Sequence, residues 1–294
     1  MAATNKGVLF AVMTVVLWSS LGAAFKLTLP NFDGFIATLY IGFFTLLSLF
    51  IYLIARGKVT QIIPSFMKNK WFFIIAGIIG LGIQQVLYIK AYELLPATQV
   101  VIVFYIYPLL MVLLSHFFFK EHTSIKSFLL VFLGFIGVYI SITNGKLIIP
   151  SLNLGLVLTL LGAFSWALFS VMIKHKKFDV DVGMFLFNLF GLIFLLFFIP
   201  MFGFVFPISA VQFSGILFIS VISTAIPFIM WNNALQMTKT SICSSVSLLT
   251  PFASILWVMA VIPEKVTVAQ IIGLVIIVGS AILNVYTDKN TKNK

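Results

Sequence analysis

The sequence predicts an all-α membrane protein with ten transmembrane helices arranged as two inverted five-helix repeats. Three observations carry that prediction. The chain is too apolar to face water, its apolar runs have the length that crosses a bilayer, and several residue spacings occur twice in the same order.

The first observation is compositional. Of 294 residues, 62% are hydrophobic and 9% are charged, and the mean hydropathy is +1.19. A soluble domain carries about 25% charged residues, so this chain needs apolar surroundings, and the soluble globular and disordered classes are excluded. The net charge of +11 would suit a nucleic-acid partner only if the basic residues lined one face of a folded domain. They occupy short loops between apolar runs instead, so the expected partners are a lipid bilayer and a small-molecule substrate, with no nucleic acid. Cys243 is the single cysteine, so no internal disulfide forms. No Cys/His set has metal-ligand spacing, and neither metal nor cofactor is expected.

The second observation is the run lengths. A membrane helix needs about 20 mostly apolar residues. Ten stretches meet this: 7–27, 34–55, 71–92, 97–119, 126–143, 153–173, 183–203, 211–235, 241–261 and 267–287. The first is too long for the about 7–15 residue core of a cleaved signal peptide. Residues 182–238 hold no charge and are too long for one span; Pro200, Gly203 and Pro207 mark the break that makes two. With the N-terminus inside, fourteen of the 18 lysines and arginines fall in cytoplasmic segments; only Lys26, Lys90, Lys146 and Lys265 fall outside. That asymmetry places both termini in the cytoplasm of a cell (plasma) membrane and agrees with an even number of spans.

The third observation is internal recurrence. Gly7, Trp18 and Lys26 match Gly155, Trp166 and Lys174 at a constant offset of 148. Ala91, Pro108 and Glu121 match Ala234, Pro251 and Glu264 at an offset of 143. The chain therefore reads as two halves, residues 1–145 and 150–290, with five spans each. Five is odd, so the second half enters the membrane from the opposite side. Two such halves can hold one midplane site and expose it to either side by rocking.

The G-x10-W-x7-K segment opening each half, and the fourth span of each half with its proline and following glutamate, carry a family likeness. The segments are YPLLMVLLSHFFFKEHTS (107–124) and TPFASILWVMAVIPEKVT (250–267). With the 5+5 repeat they resemble the drug/metabolite transporter superfamily, EamA type, over nearly the whole chain. The resemblance implies a central cavity lined by spans 1–4 and 6–9, with spans 5 and 10 peripheral. It implies transport of amino acids, other small metabolites or drugs, often outward, and no enzyme activity. Related branches carry nucleotide sugars or triose phosphates. The family often has a basic residue where this chain has Glu93.

Residues able to serve a cavity are the polar and aromatic ones at mid-depth. Trp18 and Ser19 lie halfway along span 1, and Ser165 and Trp166 are their counterparts in span 6. Gln84 and Tyr88 are four apart on one face of span 3, with Gln85 beside them. A glutamine facing lipid would leave its amide unsatisfied, so this face should look into the bundle. Tyr105 in span 4, Trp231 and Asn232 in span 8, and Ser244, Ser247 and Thr250 in span 9 complete the set. Each has a plainer reading. Membrane serines and threonines also bond their own backbone or a neighbouring helix, and tyrosines and tryptophans near span ends form interfacial belts.

Pro108, Pro227 and Pro251 each remove one helical hydrogen bond, which frees the carbonyls of Phe104, Ser223 and Ser247. Static kinks and gating hinges both follow from that. Lys90 lies roughly 28 Å along its helix from Trp71, near the outer interface. With Glu93 at i+3 it forms either an interfacial pair or an outer gate. His116, Glu121 and His122 gather after span 4, as an ordinary loop or a weak metal cluster. Gly134, Gly137, Gly273 and Gly279 are placed to let spans 5 and 10 pack closely.

Three function classes follow. An alternating-access carrier accounts for the repeat. A channel-like facilitator accounts for the spans alone. A membrane-embedded enzyme needs a constellation the chain lacks, since no HExxH occurs, no aspartate falls within a predicted span and no histidine lies near mid-depth. Without a midplane carboxylate, facilitated diffusion or exchange is expected over proton coupling. A phosphate ester would require lysine or arginine in the cavity; only Lys26 and Lys90 approach it. The expected substrate is a neutral or zwitterionic metabolite, such as an amino acid or related compound, probed against the alternatives of a drug or a nucleotide sugar.

Overall fold

A computed structural model of the chain describes residues 2–29, 32–95, 97–121, 123–148, 152–202, 209–261 and 267–291. The expected turn at Pro96 lies outside these residues, as do His122, Gly203, Pro207, Glu264, Lys265, Lys292, Lys294 and the side chain of Lys26. The described chain is helical throughout. The first half holds α1 (Ala2–Thr28), α2 (Gly34–Ala55), a short α3 (Ile62–Lys68), and α4 (Lys70–Gly77) continued through a π-helical stretch (Ile78–Ile83) into α5 (Gln84–Leu94). Next come α6 (Ala97–Phe104), α7 (Tyr107–Phe119) and α8 (Ile125–Thr143). The second half holds α9 (Leu154–His175), α10 (Val180–Leu196), a short α11 (Ile199–Phe202), and α12 (Ala210–Ser220), whose π-helical continuation (Val221–Ala225) leads into α13 (Ile226–Met237). It ends with α14 (Thr240–Ser247), α15 (Thr250–Val261) and α16 (Val268–Thr291).

Among the described residues, nine segments are long and apolar enough to cross a membrane. They match nine of the ten expected stretches. The remaining one, 241–261, is divided between α14 and α15 by a turn at Leu248–Leu249.

Local chemistry sets the helix starts. Asp33 caps α2 by accepting from Phe35 and Ile36 N–H groups at 2.9 Å each. Asp179 caps α10 through Val182 N–H at 3.1 Å, Asn153 caps α9 through Leu156 N–H at 2.9 Å, and Ser209 and Gln212 form a reciprocal capping box on α12. These side chains satisfy N–H groups that a helix start leaves open.

Two of the three prolines act differently from the expected mid-helix kink. The chain leaves α-helical geometry at Tyr105–Ile106 and restarts at Tyr107, which puts Pro108 in the first turn of α7. It stops again at Leu248–Leu249, and Pro251 stands at the same place in α15. A first-turn proline loses no internal bond, because its N–H would have had no partner there. Pro227 is different: Ala225 and Ile226 keep helical geometry between the π stretch and α13, so it stands inside a continuous helix, as expected. The carbonyl of Ser247 is taken up by the Thr250 hydroxyl at 2.7 Å.

The two halves interlock. α1 packs among α12, α13, α14 and α15 of the second half, while α9 packs among α5, α6 and α7 of the first; α2 meets α10, and α8 lies along α16. The π stretches begin at 78 and 221, again 143 apart. Close packing repeats the same way. A Cβ on Gly7 would fall 2.9 Å from Met237 and 3.2 Å from Thr238, and one on Gly155 would fall 2.6 Å from Leu95 and 3.0 Å from Leu94. Those partners are also 143 residues apart. The two contacts lie at opposite ends of the bundle.

The edge formed by α8 and α16 depends on glycine. A Cβ on Gly273 would sit 2.6 Å from the Gly137 carbonyl oxygen, and one on Gly134 would sit 2.7 Å from Leu248. Gly279 has nothing within 4 Å, so it is not part of this seam, contrary to the expectation from sequence. Gly273→Ala is therefore expected to cost about 1–3 kcal/mol, because a backbone atom cannot give way as a side chain does. Gly279→Ala should change stability by less than about 0.5 kcal/mol. Thermal unfolding in detergent distinguishes the two.

Candidate functional site

The expected cavity residues fall into two groups. The first is aromatic and joins the halves. Trp18 of α1 stands edge-on to Trp166 of α9 with ring centres 5.8 Å apart, and 5.3 Å from Trp231 of α13. Phe228 closes the group at 6.1 Å from Trp18 and 6.0 Å from Trp166. The Trp231 indole N–H donates to the Ser170 hydroxyl at 3.4 Å. Asn232 is buried beside it and donates to the Phe228 carbonyl at 3.0 Å, while its amide oxygen has no partner. Ser19 is buried and bonds its own helix at Val16 O. Ser165 donates across to Ile79 O at 2.6 Å, in the first π stretch, where wide turns free carbonyls for outside donors.

The second group lies along α5, the turn between α6 and α7, and α14. The Tyr88 ring packs 4.6 Å from Phe104 and 4.9 Å from Tyr92, and the Tyr88 and Tyr92 hydroxyls share a hydrogen bond at 3.0 Å. The Tyr107 ring lies 5.5 Å from Phe104 and 5.9 Å from Tyr105. Gln84 is buried, with Gly162 of α9 against its backbone, and Gln85 is half-buried. Ser247 bonds the Ser244 carbonyl at 2.8 Å; the fully buried Ser244 hydroxyl has no partner. Lys90 and Glu93 pair at 2.8 Å, both partly exposed.

A cavity of about 760 Å³ opens elsewhere, at the end of the bundle where α2 ends and α10 begins. Its walls include Phe10, Leu49, Tyr52, Ile226, Ile229 and Asn233, and its mouth holds Arg56, Lys58, Asp179 and Asp181. None of the residues expected at a cavity from sequence lines it. Lys58 reaches Asp179 at 2.7 Å and Asp181 at 2.6 Å; Arg56 stands 3.9 Å from Asp181, and the Tyr52 hydroxyl donates to Asp181 at 3.5 Å. Burial lowers the affinity of Lys58 for its proton, but the two carboxylates outweigh it and raise the net pKa. Burial likewise opposes ionisation of Asp179, and the Lys58 ammonium and Val182 N–H reverse the balance, so its pKa falls.

Sequence reasoning missed this group because it started the seventh span at 183. Asp179 caps α10 earlier, and Asp181 falls in its first turn, 8% exposed, at the start of an apolar segment Val180–Met201. An aspartate therefore does stand inside a span. A signal was present: Phe32–Asp33 and Phe178–Asp179 repeat at an offset of 146, each opening the second helix of its half.

A second charged cluster occupies the same end. Glu121 follows α7 and accepts from the Thr240 N–H at 2.9 Å and the Thr240 hydroxyl at 2.6 Å, and from the Ser115 hydroxyl. Lys174 and His175, closing α9, stand 3.7 and 3.6 Å from it. Among the described residues no three His, Cys, Asp or Glu side chains converge to hold a metal ion. His116 instead meets the Glu121 backbone carbonyl at 3.3 Å.

Comparison with known proteins adds a family. The profile of the EamA-like transporter family matches residues 5–143 and again 153–286. A protein described as an uncharacterized transporter in the sor 3′ region of Acidianus ambivalens is 34% identical over 152 residues, covering 51% of this chain and 58% of that protein's length. A solved crystal structure superposes with a TM-score of 0.82 at 21% identity, covering 94% of this chain and 95% of that one. At that identity the likeness concerns the fold.

Proposed function

The chain belongs to the EamA-like transporter family, and from that premise we propose that it exports a small neutral or zwitterionic metabolite, an amino acid or related compound, by alternating access. It is a multi-pass membrane protein. In this reading α14 and α15 together form a tenth span, the repeats are residues 1–145 and 150–290 in inverted orientation, and the termini lie in the cytoplasm, on the lysine-rich side.

One observation carries the reading. The contacts of Gly7 with Met237 and Thr238 recur at the other end as those of Gly155 with Leu94 and Leu95, with the halves exchanged. Two ends built from the same contacts can trade closed and open states at little cost, which is what a carrier needs. The charge balance supports the substrate class. At the cavity mouth Arg56 and Lys58 face Asp179 and Asp181, so their charges cancel, whereas a phosphate ester calls for uncompensated Lys or Arg. The carrier reading also accounts for both halves without assigning any catalytic residue.

The experiment is counterflow of labelled solute in proteoliposomes, with candidates taken from compounds enriched in the medium of overproducing cells. Saturable counterflow is expected. Flux linear in concentration would instead make the protein channel-like. Uptake driven by an imposed pH gradient, with no solute gradient, would overturn facilitated diffusion or exchange.

A further inference from the structure

Glu121 is the polar hub of the cytoplasmic face, and its partners come from both halves. It belongs to the first half, just beyond α7. Its carboxylate sits on the start of α14, where helix N–H groups lack internal partners and the helix dipole favours an anion. The Thr240 hydroxyl is bonded both to Glu121 and to Ser115 Oγ, the latter at 3.1 Å. Lys174 faces the same carboxylate and also donates to the Leu235 carbonyl at 3.0 Å and to that of Thr238. Phe119 stacks on His175 at 4.4 Å. Glu121 and Lys174 side chains are each 12% exposed.

Behind this cluster lies the hydroxyl-rich helix α14, all eight residues buried. Cys243, one turn in from Thr240, is fully buried. The unpartnered Ser244 hydroxyl is next to it. The repeat writes the same two charged residue types again as Glu264 and Lys26.

We propose that the Glu121 carboxylate is a removable latch between the halves, which shuts the cytoplasmic approach to α14 while it caps Thr240 and faces Lys174, and which releases as the halves rock. This rests on the alternating-access reading. Rocking one half against the other must separate α7 from α9 and α14, and Glu121 is where those three elements are tied.

Cys243, the chain's single cysteine, reports on the latch directly. The full-length protein in inside-out membrane vesicles is treated with a membrane-impermeant maleimide, and modification of Cys243 is followed by mass spectrometry. The wild type is expected to react slowly. Glu121→Gln and Thr240→Val should each speed modification by at least about fivefold, the size of a modest shift in a local opening equilibrium. Gly279→Ala should match the wild type. Gly273→Ala weakens the remote α8–α16 seam and serves as the control for general loosening. Labelling of Glu121→Gln at the wild-type rate overturns the latch. So does labelling of Gly273→Ala raised as much as that of Glu121→Gln at equal loss of thermal stability. Solute counterflow in vesicles from the same preparation tests the carrier reading separately. Its absence in the wild type would overturn that reading without altering the labelling contrast.

Discussion

Glu121→Ala is expected to destabilise the protein by about 3–5 kcal/mol, the usual result of removing one member of a buried charge pair. Three losses combine. Lys174, 12% exposed, loses its facing carboxylate. The Thr240 N–H at the start of α14 loses its acceptor. The Ser115 and Thr240 hydroxyls lose a shared partner. Glu121→Gln keeps an acceptor for Thr240 and should cost less. The pH dependence has a definite sign. Burial disfavours the charged form of Glu121, but the Lys174 charge and the bonds from Ser115 and Thr240 prevail and hold its pKa below the ordinary 4.5. A carboxylate depressed on folding contributes stability that is present above its unfolded pKa and fades as pH falls through the folded one. The gap between wild type and Glu121→Gln, measured by thermal unfolding in detergent, should therefore shrink below about pH 4.5; at intermediate pH, protonation of His175, 3.6 Å from Glu121, adds to the gap. A gap that kept widening below about pH 4.5 would contradict this account of the cluster.

Much of the architecture was readable because a bilayer imposes simple lengths. Nine of the ten expected stretches reappear as long apolar helices within a few residues of their predicted ends. The recurrence of Gly, Trp, Lys, Pro and Glu at two offsets pointed to two matching halves, and the family profile matches both. What sequence could not supply was backbone detail. The π stretches at Ile78–Ile83 and Val221–Ala225 share no residue signature; in the first, Phe169 lies where a Gly80 side chain would be, and in the second there is no glycine. The first-turn placement of Pro108 and Pro251 depended on where the preceding helix stopped. The charged cavity mouth was missed for another reason. Arg56, Lys58, Asp179 and Asp181 look like ordinary loop charges until folding brings residues more than 120 apart in sequence within 2.7 Å. Counting charges along a chain locates loops; it does not say which loops meet.

Trp231→Ala is expected to cost about 3–5 kcal/mol, the range for deleting a fully buried aromatic. Trp231 is 0% exposed. Its ring lies 5.3 Å from Trp18 of the other half, and its N–H reaches Ser170 of α9. It thus fills the wedge between α1 and α9, the opening helices of the two halves. Trp18 and Trp166 are matched positions of the repeat, and they touch at 5.8 Å. A residue can contact its own counterpart only near the axis that relates the two halves, so this cluster lies close to that axis. A cavity there cannot be closed by a small local shift, because any shift that fills it must move one half relative to the other. Ser170→Ala removes only the long hydrogen bond and should cost about 1 kcal/mol or less. Trp18→Ala combined with Trp231→Ala should depart from additivity by about 0.5–3 kcal/mol, since the rings share one contact surface. Additive losses, or a Trp231→Ala cost no larger than that of Ser170→Ala, would mean that the halves are held together elsewhere and that the tryptophans merely fill space.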